Sequence, residues 1–488
     1  MTFYSTRHIP RELPPKAPFH ILLVLGLAFL VYAIVTQQLL LAVSVIGFPI
    51  AIMMIGYGLT KPHFTYLIYA TYTFSFIAIS RYVYKDKLSV GLEIILVFLF
   101  ISILFANYNK KSNLRLKDAF NVLTLSYVVW IVYILFQLSN SGIKSQGMTE
   151  GVRVWILRTC ILYIVASVVS NTPKMLRNGL IAVGIFTIIS FAKALYQRFI
   201  GFDDAEKYWL YVQDGARTHI ISSGIRYFSF FSDAANYGTI MGAIILIYSI
   251  AGFNAKHKRM SLFYFNIAIM AMFGLFLSGT RGSLAVPLAG LALYCLISRS
   301  IKIFSITAFL GIGIFVFFTF TDIGNSNQFI RRARTAFRPA EDASYIVRIE
   351  NRKEIAAYLK KRPLGIGLSQ NIPKLWRQGE KYVEGTLPPD SFFVSIWIQT
   401  GLIGLILYIS IYIVVILRCC YIVMFKVHSK RLRQILAALT CATFGILVSG
   451  YTANSPGQPP TDFLIVAMIA FVMNGAYIDK QNFQQKII

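Results

Sequence analysis

Charge is what this 488-residue chain has least of: 14% of its residues are charged, against roughly 25% in a soluble domain. Acidic residues are scarcest, 20 Asp and Glu beside 47 Lys and Arg. With 56% hydrophobic residues and a mean hydropathy of +0.63, the chain has too little polar surface to cover itself in water, which excludes a soluble globular protein. Cysteine is sparse too. Cys160, Cys295 and Cys441 lie inside apolar stretches and Cys419 and Cys420 just past another, so no disulfide framework and no thiolate metal site is predicted. His219 is the one histidine in either long polar segment, and a lone histidine is more often structural than catalytic. No Walker loop, metal-ligand cluster, G-x-S-x-G or DxD-like site is found, so nucleotide-driven and serine-nucleophile chemistry have no sequence support. There is no internal repeat, low-complexity tract or separate soluble domain.

What the chain does have is long apolar runs. Spanning a bilayer takes about 20 apolar residues per helix, and that ruler gives fourteen candidate spans, near 19–36, 38–59, 63–80, 90–106, 119–138, 154–170, 178–200, 234–252, 261–278, 283–298, 301–320, 391–417, 434–451 and 461–478. The basic start (Arg7, Arg11, Lys16) precedes an apolar run with no small-residue cleavage site, which reads as a retained helix. The predicted fold is all-α: a polytopic membrane helix bundle of about 12–14 transmembrane helices with a partly helical outer loop domain. Its expected parts are N-terminal helices over 1–200, a central region over 201–420 with loops at about 201–233 and 321–390, and C-terminal helices over 421–488.

The net charge of +27 would suggest nucleic acid in a soluble protein. Here it serves topology, and no nucleic-acid partner is predicted. With the N-terminus cytoplasmic, Lys110, Lys111, Arg115, Lys117, Lys174, Arg177, Lys256, Lys258, Arg259, Lys426, Lys430, Arg431 and Arg433 fall inside. The short opposite loops hold few: Lys144 and Arg153 in one, Arg281 alone in another, none in Ala453–Pro460, with Arg81–Lys87 the exception. That asymmetry obeys the positive-inside rule and puts both long loops outside.

The larger outer loop is basic, with thirteen Lys and Arg against eight Asp and Glu between Asp322 and Asp390. Such an excess at a membrane surface suits an anionic ligand such as a phosphate ester. Within it Ser344–Arg362 has helical character. Tyr345, Ile349, Ala356 and Leu359 share a face with Arg348 and Arg352, and Glu350 and Glu354 point away. The two arginines are then ligand-binding groups, structural ion pairs or snorkelling side chains. Arg281, in the turn Ser278-Gly279-Thr280-Arg281-Gly282, is an interfacial anchor or a binding group, and Arg226 is equally ambiguous. Asp390, after Pro388-Pro389, suits helix N-capping and is compatible with catalysis. Ionisable residues within the spans are few, Glu93, Arg158, Lys193 and Arg198 among them. Each costs about 2.5–3.5 kcal/mol at a helix centre, and they do not form the chain of midplane charges that a proton-coupled transporter uses.

Three segments together resemble the O-antigen ligase and O-antigen polymerase superfamily. They are Leu277-Ser278-Gly279-Thr280-Arg281-Gly282-Ser283, similar to that family's Ser-x-Ser-Arg-Gly turn; Arg348–Gly367, ending in Arg362-Pro363-Leu364-Gly365-Ile366-Gly367; and Pro389-Asp390-Ser391-Phe392-Phe393 leading into Gln399-Thr400-Gly401-Leu402-Ile403-Gly404. Arg226–Gly238, with Phe230 and Asn236, is similar to the segment that precedes them. The likeness covers roughly 220–410. Ligases of the family usually carry His-Asn where this chain has Asp390-Ser391, which tilts the reading toward a polymerase.

The resemblance implies a multi-pass enzyme of the bacterial inner membrane with its site on the periplasmic side. It implies inverting transfer of a glycan from undecaprenyl diphosphate to another lipid-linked glycan or to lipid A core, with membrane lipids around it and no metal or cofactor. Arg281, Arg348 and either or both of Arg226 and Arg352 would bind the diphosphate, and Asp390 would be the base. Protein O-oligosaccharyltransferase is a third acceptor class. A flippase or transporter of the same lipid-linked sugar is the rival of another kind, and would show a polar path and internal repeats.

Overall fold

An apolar segment in lipid can satisfy its backbone polar groups only within itself or in a closed barrel, so the apolar runs should be helices. In the computed structural model, which describes residues 52–83, 86–109, 114–140, 149–221, 224–298, 301–335, 337, 343–378 and 381–485, they are. In chain order the principal helices are α1 (Pro62–Val83), α2 (Val90–Tyr108), α3 (Val122–Gln137), α4 (Thr149–Val169), α5 (Pro173–Phe199), α6 (Asp204–Tyr211), α7 (Ala234–Phe253), α8 (Lys258–Ser278), α9 (Arg281–Ile297), α10 (Ile301–Phe320), α11 (Gln328–Arg334), α12 (Ala343–Leu359), α13 (Phe392–Tyr421), α14 (Lys430–Ser449), α15 (Thr461–Met473) and α16 (Gly475–Gln485). Sheet among the described residues is limited to two antiparallel ribbons, β1 (Ile220–Ile221) with β2 (Gly224–Ile225) and β3 (Pro373–Gln378) with β4 (Lys381–Thr386).

Twelve of the fourteen expected spans coincide with helices. By length and composition seven helices could cross a membrane, or up to eight if α15 and α16, bent by 59°, form one broken span. The protein is an all-α polytopic membrane protein. The expected span 19–36 and most of 38–59 lie outside the described residues, as do Arg7, Arg11, Lys16, Lys110, Lys111 and Lys144. Helices α7 and α14 are buried over most of their length, apolar on every side, and form the centre with α8 and α9 around them. The charges placed in spans all have contacts. Glu93 meets Arg153 at 3.7 Å, Arg158 meets Asp462 at 3.0 Å, and Lys193 lies 2.7 Å from Asp203 and 3.0 Å from Glu206. Arg198 lies over the Phe199 ring at 5.6 Å. Arg81, the topological exception, donates to the Phe231 carbonyl and stacks on Trp209 and Phe228.

The loop domain rests on α13 through a small core of Ile355, Leu359, Ile372, Leu387, Val394 and Ile398. The buried stripe of α12 is Asn351, Ile355 and Leu359, so the predicted face is corrected by rotation: Tyr345 and Ala356 are exposed. Glu354 points away as expected, to Lys374 at 2.7 Å. Helix α13 breaks at Gly401, whose φ of 72° is left-handed. The freed carbonyls are taken by the Pro363–Gly367 loop: Ile366 N donates to Ile398 O at 2.9 Å and Gly367 N to Gln399 O at 3.1 Å, and Tyr133 Oη donates to Thr400 O at 2.7 Å. A Cβ at Gly401 would lie 1.9 Å from the Pro363 carbonyl oxygen. Gly401→Ala therefore combines a forbidden φ with a backbone clash and should lower stability by about 3 kcal/mol or more, read as a fall in the melting temperature of the protein in nanodiscs.

Candidate functional site

The loops at one end of the bundle converge and bring the singled-out residues with them. Arg226 follows the β1–β2 ribbon, and its position is set by its neighbour, since Tyr227 N donates to Leu277 O at the end of α8. Its guanidinium donates to Thr218 O at 3.0 Å and to Thr280 Oγ1 at 2.7 Å. Helix α8 stops at Gly279 (φ 55°), and after Thr280 the chain re-enters α9 at Arg281, whose Nη1 donates to Thr335 Oγ1 at 2.9 Å. Arg348 and Arg352 lie one turn apart on α12. Arg352 donates to Tyr451 O at 2.8 Å and stacks 4.1 Å above the Tyr451 ring.

Asp390 is not the N-cap of α13. That position belongs to Ser391, which makes no side-chain cap. Asp390 instead holds a left-handed φ of 53°, a conformation sparsely populated except by Gly, Asn and Asp and found disproportionately at functional sites. Its carboxylate accepts from Asn351 Nδ2 at 2.9 Å, and Asn351 lies between Arg348 and Arg352 on α12.

The segment 450–460 ties these parts together. Phe392 N donates to Gly450 O and Ala453 O, Ser391 Oγ donates to Gly450 O, and Asn236 Nδ2 and Ser232 Oγ reach Pro459 O and Gln458 Oε1. Thr452 sits so close to the Arg281 turn that a Cβ at Gly282 would be 2.0 Å from its hydroxyl.

Electrostatics accords with the convergence. Burial pushes Arg226 down to about 10; Asp233 opposes this, while the positive charges of Arg348 and Arg281 add to it. Two guanidinium groups from segments far apart in sequence, Arg281 and Arg348, thus act on Arg226. The Nε–H groups of Arg226 and Arg352 are buried with no hydrogen-bond partner. A buried donor left so costs about 1–3 kcal/mol, and an anion's oxygens would relieve it. Arg332, buried on α11, lies against Gly279, where a Cβ would be 3.0 Å from its Nη1. Sequence reasoning did not single out Arg332, Asn351, Thr280 or Tyr451. Only the excess of arginine around Arg331–Arg334 hinted at the first.

His219 is a structural group. It is buried against Trp209 and Phe228, accepts from Ala234 N through Nε2, and has Nδ1 3.0 Å from Gly215 O. Burial, aided by Arg226, lowers its pKa to about 4. Because the unfolded chain takes up this proton nearer pH 6.5, the stabilisation is complete above that value and is lost as pH falls toward 4. Melting temperature should decline across this window, with a loss of on the order of 3 kcal/mol of stability, and His219→Leu should flatten that slope.

The helical stretch through α8, α9, α12 and the start of α13 decides what the protein resembles. Residues 265–409 match the O-antigen ligase family. The match supports the O-antigen ligase and polymerase superfamily and a membrane enzyme of O-antigen ligase type. The ligase-like region carries Arg281, Arg348, Arg352 and Asp390, while Arg226 lies ahead of it. No curated protein and no solved structure matches the chain. Among the described residues no group of three or more His, Cys, Asp or Glu is placed to hold a metal ion.

Proposed function

We propose that the protein is an inverting, metal-independent glycosyltransferase of the inner membrane that moves a glycan from undecaprenyl diphosphate to an acceptor on the periplasmic side. The observation that carries this reading is the gathering of Arg226, beside the Arg281 turn, and of Arg352, beside the Asn351–Asp390 pair, with the buried Nε–H of each left without an acceptor. Holding like charges together is unfavourable unless the site serves an anion, and a diphosphate is an anion that forked guanidinium groups match.

In the proposed reaction the acceptor hydroxyl oxygen attacks the anomeric carbon and the carbon–oxygen bond to the diphosphate breaks. The bonding pair leaves on the phosphate oxygen, where the arginines stabilise the developing charge. The hydroxyl proton passes to the Asp390 carboxylate and then to solvent, and attack opposite the leaving group inverts the anomeric centre. Asn351 positions Asp390. Arg352, anchored on Tyr451, fixes α12 against the 450–460 segment and offers its remaining donor to the ligand. Asp390 in place of the ligases' His-Asn favours another lipid-linked glycan, as in a polymerase, over lipid A core.

The test is reconstitution in proteoliposomes with a purified undecaprenyl-diphosphate oligosaccharide. Free undecaprenyl diphosphate and lengthened lipid-linked glycan are the expected products. Product only when lipid A core is added would make the protein a ligase, and movement of intact donor across the bilayer without transfer would overturn the enzymatic reading.

A further inference from the structure

A cavity of about 310 Å³ lies between α3, α4, α13, α15 and the 454–457 segment. Its volume is at the small end of the roughly 300–1,000 Å³ found for ligand pockets, suited to a sugar ring and not to a lipid-linked oligosaccharide. Glu150 and Ser369 are exposed at its edge, and Arg158 and Asp462 form an ion pair of 3.0 Å in its wall.

Two features set its chemistry apart from the arginine site. The charged residues of the lining, Glu150, Arg153, Arg158 and Asp462, balance to zero, and Arg153 and Arg158 already face Glu93 and Asp462. The cavity therefore has no surplus cation for a diphosphate. Its wall combines these groups and the Gln399 amide with aromatic side chains, Trp155 and Tyr408 among them. Aromatic rings with a few placed polar groups suit a neutral, hydroxyl-rich ring. The ion pair is not needed to join α4 to α15, since an apolar pair could do so as well or better; what it adds is polarity facing the cavity. Trp155 and Arg158 also sit in a seven-residue π-helical turn of α4, Val152–Arg158, a distortion found frequently at functional sites.

The cavity is tied to the candidate catalytic site through the chain: Phe392 and Ser395 of its lining follow Asp390 at the start of α13, and Asn454 and Pro456 follow soon after Tyr451. We infer that this cavity binds the terminal neutral sugar of the acceptor and presents its hydroxyl toward Asp390, an inference that rests on the transferase reading above.

Trp155→Leu, which removes a ring face and keeps an apolar side chain, should raise the KM for the acceptor about tenfold or more. Glu150→Gln, at the exposed edge, should raise it several-fold with little risk to folding. In both, the KM for donor should stay within about twofold. In parallel, a panel of methyl hexosides should quench tryptophan fluorescence of the nanodisc-embedded protein, with the effect lost in Trp155→Leu. Acceptor KM unchanged in both variants, donor KM rising in step, or no quenching by any hexoside overturns the inference. Quenching without any transfer by the unsubstituted protein would retain the sugar site and reject the transferase reading alone.

Discussion

Replacing Arg348 by alanine should lower kcat for glycan transfer by about 10²–10³-fold, corresponding to roughly 3–4 kcal/mol of lost charge stabilisation at the leaving diphosphate. Arg281→Ala should have an effect of the same order. The double variant should cost less than the product of the two, because groups acting on one leaving group are not independent. Lysine should restore little at either position, since an ammonium cannot reproduce the planar fork. The melting temperature should change little, because the loss of a cation that disfavours the charge on Arg226 offsets the loss of that side chain's own contacts. A fall in melting temperature large enough to explain the lost rate would mean that the arginines serve the fold. Steady-state transfer assays with a melting curve for each variant separate the two outcomes.

Asp390→Asn should reduce kcat by about 10²–10⁴-fold, the usual range for loss of a general base, while donor binding stays near its original value. Asparagine is the informative substitution because it tolerates the left-handed φ of 53° and keeps an oxygen that can accept from Asn351. Alanine would confuse lost chemistry with backbone strain. Asn351→Leu should act through Asp390 and cost less, about tenfold in kcat, without changing the KM for donor. If Asp390→Asn transfers at the original rate, Asp390 is only the strained hinge at the entry to α13, and the base must be sought elsewhere.

The membrane helices were legible because the bilayer imposes a length that no local context overrides, and twelve of the predicted spans coincide with helices. The helix over Ala343–Leu359 was equally legible from its period. Its orientation was not: Asn351 takes the buried stripe because Asp390 accepts its amide, a partner thirty-nine residues away that no helical wheel contains. The same limit applies to Asp390, which suited an N-cap until Ser391 was found in that place. Arg226, Arg281 and Arg348 could be singled out one at a time, as cations outside the spans. Their convergence could not, because it depends on Tyr227 meeting the end of α8 and on Arg352 meeting Tyr451. The segment around Gly450–Pro460 carries few charges, so nothing in its composition marked it as the part that joins the others.

That joining segment has a consequence for biogenesis. All five singled-out residues precede Gly450 in the chain, yet Phe392, Ser391, Arg352 and the Gly282 turn all have partners within 450–453. A nascent chain that has already inserted α13 therefore holds every candidate group but lacks the segment that ties the Arg281 turn to α12 and α13. The candidate site is therefore complete only once 450–453 is in place, late in the chain.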